Sequence, residues 1–141
     1  MSIWFNKQIT VEELNVRGKN TMSEFLGIEF TEIGDDFLTA TMPVNERTKQ
    51  PIGILHGGAN VVLAETIAST AANAVVDLSE FYCVGLEINA NHIRSVRDGL
   101  VTAITKPIHI GRTTQIWEIY HFNEEGKKTC ISRMTASVLS R

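Results

Sequence analysis

Two periodicities divide the chain. In "DDFLTATMPV", residues 35–44, apolar and polar positions alternate. Leu38, Ala40, Met42 and Val44 fall on one face, as in a half-buried strand. The loop "NERTKQPIGILHGG" follows, with Gly57 and Gly58 at its end. From Ala59 to Asp77 the period changes. Val62, Glu65, Ser69, Ala72 and Val76 recur three and four residues apart, which predicts one long helix. Ala64, Ala68, Ala71, Ala72 and Ala74 cover much of its other surface, so this helix is expected to be wrapped rather than laid on a surface.

After Asp77 the chain reads as four strands. "YCVGLEINANHI" places Val84, Leu86, Ile88 and Ala90 on one face, and "LVTAITKPIHI" follows the turn "RDG". "TTQIWEIYHF" is aromatic and β-branched, and the turn "NEEG" leads to "KKTCISRMTASVL". Short turns between successive strands predict antiparallel pairing. Near the start, Thr10 and Glu13 have the spacing of a capping box that opens a short helix, and "MSEFLGIEFTEIG" leads into the first strand. The sum is an α+β fold: one domain over residues 1–141, with one long helix embraced by an antiparallel sheet of five or six strands.

Composition narrows the class. Hydrophobic residues make up 43 % and charged residues 21 %, the proportions of an ordinary globular protein rather than a disordered one. The formal net charge of -3 argues against a nucleic-acid binder, which carries a basic excess. No segment has the roughly 18 consecutive apolar residues of a membrane span. Glu12 and Glu13 stand close behind the N-terminus and no small-residue cleavage site follows, which reads against a secretory signal. Cys83 and Cys130 lie in strand-like runs and read as reduced core thiols of a cytoplasmic protein. No Cys/His spacing has the form of a metal site.

One residue breaks the apolar pattern. Between Lys49 and Asp77 there is no Asp, Lys or Arg, and Glu65 is the only Glu. A buried, unpaired carboxylate is costly unless its pKa rises or donors surround it. Glu65 therefore lies on a thin exposed edge or does chemistry. His56 stands at the end of the helix that begins beside Gly57 and Gly58, where backbone N–H groups have no intrahelical partner. Such an end favours developing negative charge. Ser69 lies one turn beyond Glu65, and Gln50 offers an uncharged donor and acceptor. This set suits acyl transfer: donors for a carbonyl oxygen, and a carboxylate that attacks or activates water. Taken singly, His56 also reads as a helix cap and Ser69 as a packing residue.

"QPIGILHGGANVVLAETIAS" resembles the signature of hotdog-fold acyl-CoA thioesterases, in the group of the Arthrobacter-type 4-hydroxybenzoyl-CoA thioesterase. The resemblance extends to "GLEINANHIRSVRDG", "KPIHIGRTTQIWEI" and "SRMTAS". Within the group it points toward the thioesterases of 1,4-dihydroxy-2-naphthoyl-CoA in menaquinone synthesis and of mischarged aryl-carrier proteins in the enterobactin pathway. It implies the hotdog fold and a homo-oligomer, a dimer with sites at its interface that pairs into a tetramer. It implies no cofactor beyond the coenzyme A of the substrate itself, and neither nucleic acid nor membrane as partner. Carried over, Glu65 is the nucleophile or general base and Gly57 gives its N–H to the thioester oxygen. Gln50 and His56 orient the thioester from the facing subunit, and Ser69 falls beside Glu65. "HIRS" (His92, Ile93, Arg94 and Ser95) and "HIGRTT" (His109, Ile110, Gly111, Arg112, Thr113 and Thr114) match segments that hold coenzyme A, with Gly85 near the same groove. Arg94, Arg112 and Arg133 suit its phosphates. Where relatives carry basic or His residues, this chain has the hydroxyls of Thr113 and Thr114.

The expected function is hydrolysis of an aromatic acyl-CoA. The alternative is proofreading of acyl groups on a carrier protein. Hydration or dehydration of an acyl thioester is a lesser rival, and so is a non-catalytic binding module, which has no need of a carboxylate at Glu65.

Overall fold

A computed structural model describes all 141 residues. The elements in order are α1 (Val11–Arg17), α2 (Met22–Phe25), β1 (Glu29–Ile33), β2 (Leu38–Pro43), α3 (Gly57–Ala74), β3 (Phe81–His92), β4 (Leu100–Ile110), β5 (Thr114–Phe122) and β6 (Lys128–Ser140). The six strands form one sheet in the order β1-β2-β4-β5-β6-β3, and every neighbouring pair is antiparallel. The sheet curls around α3, which touches β2 through β6.

Alternation builds the inner wall as expected: Leu38, Ala40, Met42 and Val44 are all buried, and so are Trp117, Ile119, Met134 and Ala136. Against them α3 packs Leu63, Ala64, Ile67, Ala68, Ala71 and Ala72, each fully buried. Alanines let the helix settle close to a concave sheet, and one core of 25 residues results. At the N-terminus, α1 opens with the expected capping box, Thr10 and Glu13 bonding each other's backbone N–H.

Three expectations need correction. The long helix is Gly57–Ala74, not Ala59–Asp77, because both glycines sit inside its first turn behind the His56 cap. It ends early because Asp77 leaves the helix to make a turn, its carboxylate accepting from the Ser79 N–H and hydroxyl.

The pairing of β3 differs too. β3 and β4 are consecutive but not neighbours: β3 lies at the sheet edge beside β6. The segment 93–99 crosses the sheet end, where Leu55 and Val44 donate their N–H groups to the Val96 and Gly99 carbonyls.

Finally, Val84, Leu86, Ile88 and Ala90 do not share a face. The register slips between Gly85 and Glu87, leaving one extra residue in β3. Cys83 and Gly85 lie opposite inward-facing positions of β6 before the slip, and Ile88 and Ala90 after it. Val84 and Leu86 are left exposed, at 40 % and 64 %. A bulge shifts side-chain direction by one residue, so a period-two reading fails across it.

Candidate active site

Of the clefts along α3, two hold Gln50, Gly57 and Glu65. The first lies at the helix N-terminus, holds about 370 Å³, and is lined by Gln50, Gly57, Asn60 and the run His92 to Val96, with Ile54 and Leu55. The second lies beside the helix middle, holds about 450 Å³, and brings Glu65 together with Val62, Thr66, Met22, Gly85 and Leu86. The resemblance expected Gln50 and His56 to serve a Glu65 on the facing subunit; within the single chain Gln50 and Glu65 line different clefts.

The first cleft is a place of donors. His56 caps α3: its Nδ1 accepts the Gly58 N–H at 2.8 Å. Its carbonyl takes the N–H of Ala59 at 3.0 Å and of Asn60 at 3.3 Å. Of the first four helical N–H groups, only that of Gly57 then lacks a partner. This free N–H is the one that the family resemblance assigns to the thioester oxygen. Gln50 spends its Oε1 on the Ile52 N–H and keeps its amide NH2 uncommitted. A Cβ on Gly57 would stand 3.0 Å from His92 Nε2, so glycine here lets the imidazole reach the start of the helix.

The second cleft is a place of one acceptor. Glu65 is half-buried and pairs with no cation. Burial pushes its carboxyl above the usual Glu range, and a hydrogen bond from the Ser69 hydroxyl at 3.5 Å partly offsets this. Gly85 is shaped to it: a Cβ there would collide with Glu65 Oε1. The strand backbone and the carboxylate are in contact because residue 85 has no side chain.

The remaining expected residues lie elsewhere. His109, Ile110, Gly111, Arg112, Thr113 and Thr114 form the end of β4, the turn and the start of β5. That turn sits at the far end of the sheet from His92. Gln115 bonds the Ala72 carbonyl late in α3, whereas His121 bonds Asn60 at its start. Six residues of strand separate those contacts, about 20 Å. Thr114 stands level with Val84, two strands away across β6, on the order of 10 Å. Arg133 is exposed on the outer face, its register neighbours Asn89 and Glu118.

Sequence reasoning passed over Asn60 and Met22, which line the clefts, and His121, which lies buried behind the first. Asn60 is a polar residue inside an apolar run and is only 4 % exposed. His121 continues the inward series Gln115, Trp117, Ile119 and is fully buried. Both signals were in the pattern. Met22 left none, since α2 reaches the Glu65 cleft only through tertiary packing.

Residues 52–130 match the Thioesterase superfamily. The chain belongs to that family. It is therefore a thioester hydrolase of the acyl-CoA thioesterase kind, and its fold is the hotdog fold. Its similarity to the 1,4-dihydroxy-2-naphthoyl-CoA hydrolase of Escherichia coli K12 is 53 % identity over 137 residues, 97 % of this chain and 99 % of that one. The proofreading thioesterase EntH of Cronobacter turicensis is 46 % identical over 138 residues, 97 % of this chain and 98 % of that one. The crystal structure of a glutamine-to-alanine variant of thioesterase PA1618 from Pseudomonas aeruginosa superposes with a TM-score of 0.97 at 48 % identity, covering 99 % of this chain and 100 % of that chain. No helix of this thioesterase is long and apolar enough to cross a membrane.

Proposed function

We propose that this thioesterase hydrolyses an aromatic acyl-CoA, with Glu65 as base or nucleophile, in a site assembled from two subunits. One observation carries the reading: a half-buried carboxylate with no cationic partner faces a strand cleared of side chain to receive it. A structural role gives no reason to maintain so unfavourable a charge.

The two clefts supply complementary halves. In the proposed reaction the thioester carbonyl rests against the free Gly57 N–H, with the Gln50 amide beside it. Glu65 of the facing subunit accepts a proton from water, and the hydroxide adds to the carbonyl carbon. Negative charge gathers on the oxygen, where the N–H and the helix dipole oppose it. The C–S bond then breaks and coenzyme A leaves as thiolate, to be protonated. Direct attack by Glu65, through an anhydride that water opens, uses the same atoms. Neither route calls on a metal or redox cofactor.

The shared site is supported by the separation of the clefts and by β3. That strand ends the sheet with an unpaired edge and exposes Val84 and Leu86 next to Gly85 and Glu65. A second copy of this chain on that edge covers the apolar side chains and brings donors to each Glu65. Pairing of such dimers into a tetramer belongs to the same reading. In it, His92 to Ser95, His109 to Thr114 and Arg133 receive the coenzyme A arm and phosphates. The similarity to the naphthoyl-CoA hydrolase favours a bicyclic aromatic acyl group. The similarity to EntH supports a second reading, an acyl group on a carrier protein. The two reduced thiols fit a cytoplasmic setting.

The test is hydrolysis of 1,4-dihydroxy-2-naphthoyl-CoA and benzoyl-CoA against a benzoyl-carrier protein, ranked by kcat/KM, with Glu65→Gln alongside. Glu65→Gln is expected to stay folded, keep KM near normal and lose roughly two to four decades of kcat. Wild-type kcat in that variant would refute the assignment.

A further inference from the structure

Three strands bring three side chains into one row beneath the start of α3. His92 of β3 lies opposite Cys130 of β6, which lies opposite His121 of β5. Asn60, from the first turns of α3, closes the row from above. Its Nδ2 is 3.3 Å from His92 Nδ1 and its Oδ1 is 3.0 Å from His121 Nδ1. His121 is fully buried and its Nε2 has no partner.

We infer that Asn60 and His121 are positioning residues that lock His92 in one tautomer, with Nε2–H presented to the donor cleft beside Gly57. The inference rests on the site reading above for its catalytic consequence only.

An amide can bridge two imidazoles in two senses. In one, Asn60 Oδ1 accepts from His121 Nδ1–H and Nδ2 donates to His92 Nδ1. His92 must then carry its proton on Nε2, and the unpaired atom of His121 is a bare lone pair. In the other, Asn60 donates to His121, whose proton moves to Nε2. That leaves a buried N–H with no acceptor, the rarer and costlier defect. The first sense is therefore favoured.

Two further features agree. Cys130 Sγ stands 3.7 Å from His92 Nδ1, and burial raises that thiol's pKa, so it remains an S–H that can donate to the same nitrogen. Burial, then the neighbouring His92, holds the His121 pKa at about 4, so His121 is neutral and has one proton to place. A Cβ on Gly57 would stand over the face of the His92 ring, 3.0 Å from Nε2 and 3.3 and 3.4 Å from the adjoining ring carbons, so the Nε2 edge borders the start of α3. His92 and Gly57 line the same cleft, so in the site reading the locked Nε2–H and the free Gly57 N–H are both donors available to the bound thioester.

The test is long-range 1H–15N correlation on the intact protein labelled at histidine nitrogens. Wild type is expected to show His92 as Nε2–H and His121 as Nδ1–H; the opposite pair, or an even mixture at His92, overturns the inference. Asn60→Asp, which can only accept, should move the His92 proton to Nδ1. His121→Gln keeps a donor toward Asn60 and should preserve the His92 signature, whereas His121→Phe should mix it. With benzoyl-CoA, His121→Phe should lower kcat about three- to tenfold at similar KM, and His121→Gln should recover it. Equal loss in both variants, with both folded, means mere packing and overturns the positioning role. Absence of turnover by wild type overturns the site reading instead, and the tautomer spectra still decide the lock.

Discussion

The two clefts along α3 hold their groups by opposite means. At the helix start, positions are fixed by hydrogen bonds: His56 consumes the N–H of Gly58, Ala59 and Asn60, and Asn60 ties two imidazoles together. At the helix middle, position is fixed by what is missing. Glu65 has one weak partner, Ser69, and a glycine where a side chain would strike it. A donor cleft gains from saturating every N–H but one, because the free one is then aimed. A base gains from being under-satisfied, because each added donor lowers its affinity for a proton.

The sharpest way to break this contrast is to mix its halves. Gln50→Ala damages the donor cleft and Glu65→Gln the acceptor cleft, and each is expected to be nearly inactive alone. After subunit exchange, half of the dimers are mixed and each mixed dimer has one intact site. Activity should return to about a quarter of wild type. Exchange shown by mass spectrometry without recovered turnover would place both clefts' work within one chain.

Gly85→Ala should separate room from charge. The added methyl displaces the Glu65 carboxylate while leaving its chemistry intact, and a misplacement of that kind costs about a hundredfold in kcat. Crystals of the variant should show the carboxylate turned away; an unmoved carboxylate with full activity contradicts the close fit.

The donor end should be the acid-sensitive one. The His121 pKa is lowered from 6.5 to about 4 by burial first and by His92 second. Its folded form resists protonation, so its contribution is complete above pH 6.5 and is lost as pH falls toward 4. The full loss is about 3 kcal/mol, at 1.36 kcal/mol per pH unit. Urea unfolding of wild type and His121→Phe at several pH values should show this difference narrowing as pH drops; parallel curves argue against a neutral buried imidazole.

Ser69→Ala makes the smallest change. Removing the hydroxyl that lowers the Glu65 pKa should move the acid limb of kcat/KM to higher pH, by a few tenths of a unit for so long a bond. A shift to lower pH reverses the role given to Ser69.

Much of this was legible in the residue order. Thr10 and Glu13 announced a helix start, and Leu38 to Val44 announced an inner wall. Glu65 stood out because a charge within an apolar helix has no cheap structural explanation. His56 was read both as cap and as site residue, and it does cap α3. Local patterns suffice where the cause is local: capping, alternation and helical spacing act within a few residues.

Other features required the fold. Val84 and Leu86 read as sharing a face with Ile88 and Ala90 until the slip beside Gly85 put them on opposite faces, and β3 read as a neighbour of β4 until it paired with β6. Gly85 was placed near the coenzyme A groove, but its tightest contact is with Glu65, 20 residues earlier. Asn60 and His121 are 61 residues apart. Nothing in either run pairs them; the register of β5 on β6 and the angle of α3 do. The sequence determined which side chains were available and which elements formed, since those follow from short-range sterics and burial. Tertiary structure alone decided which glycine made room for the Glu65 carboxylate and which nitrogen of His92 faces the cleft, because each depends on atoms that only packing brings within hydrogen-bond reach.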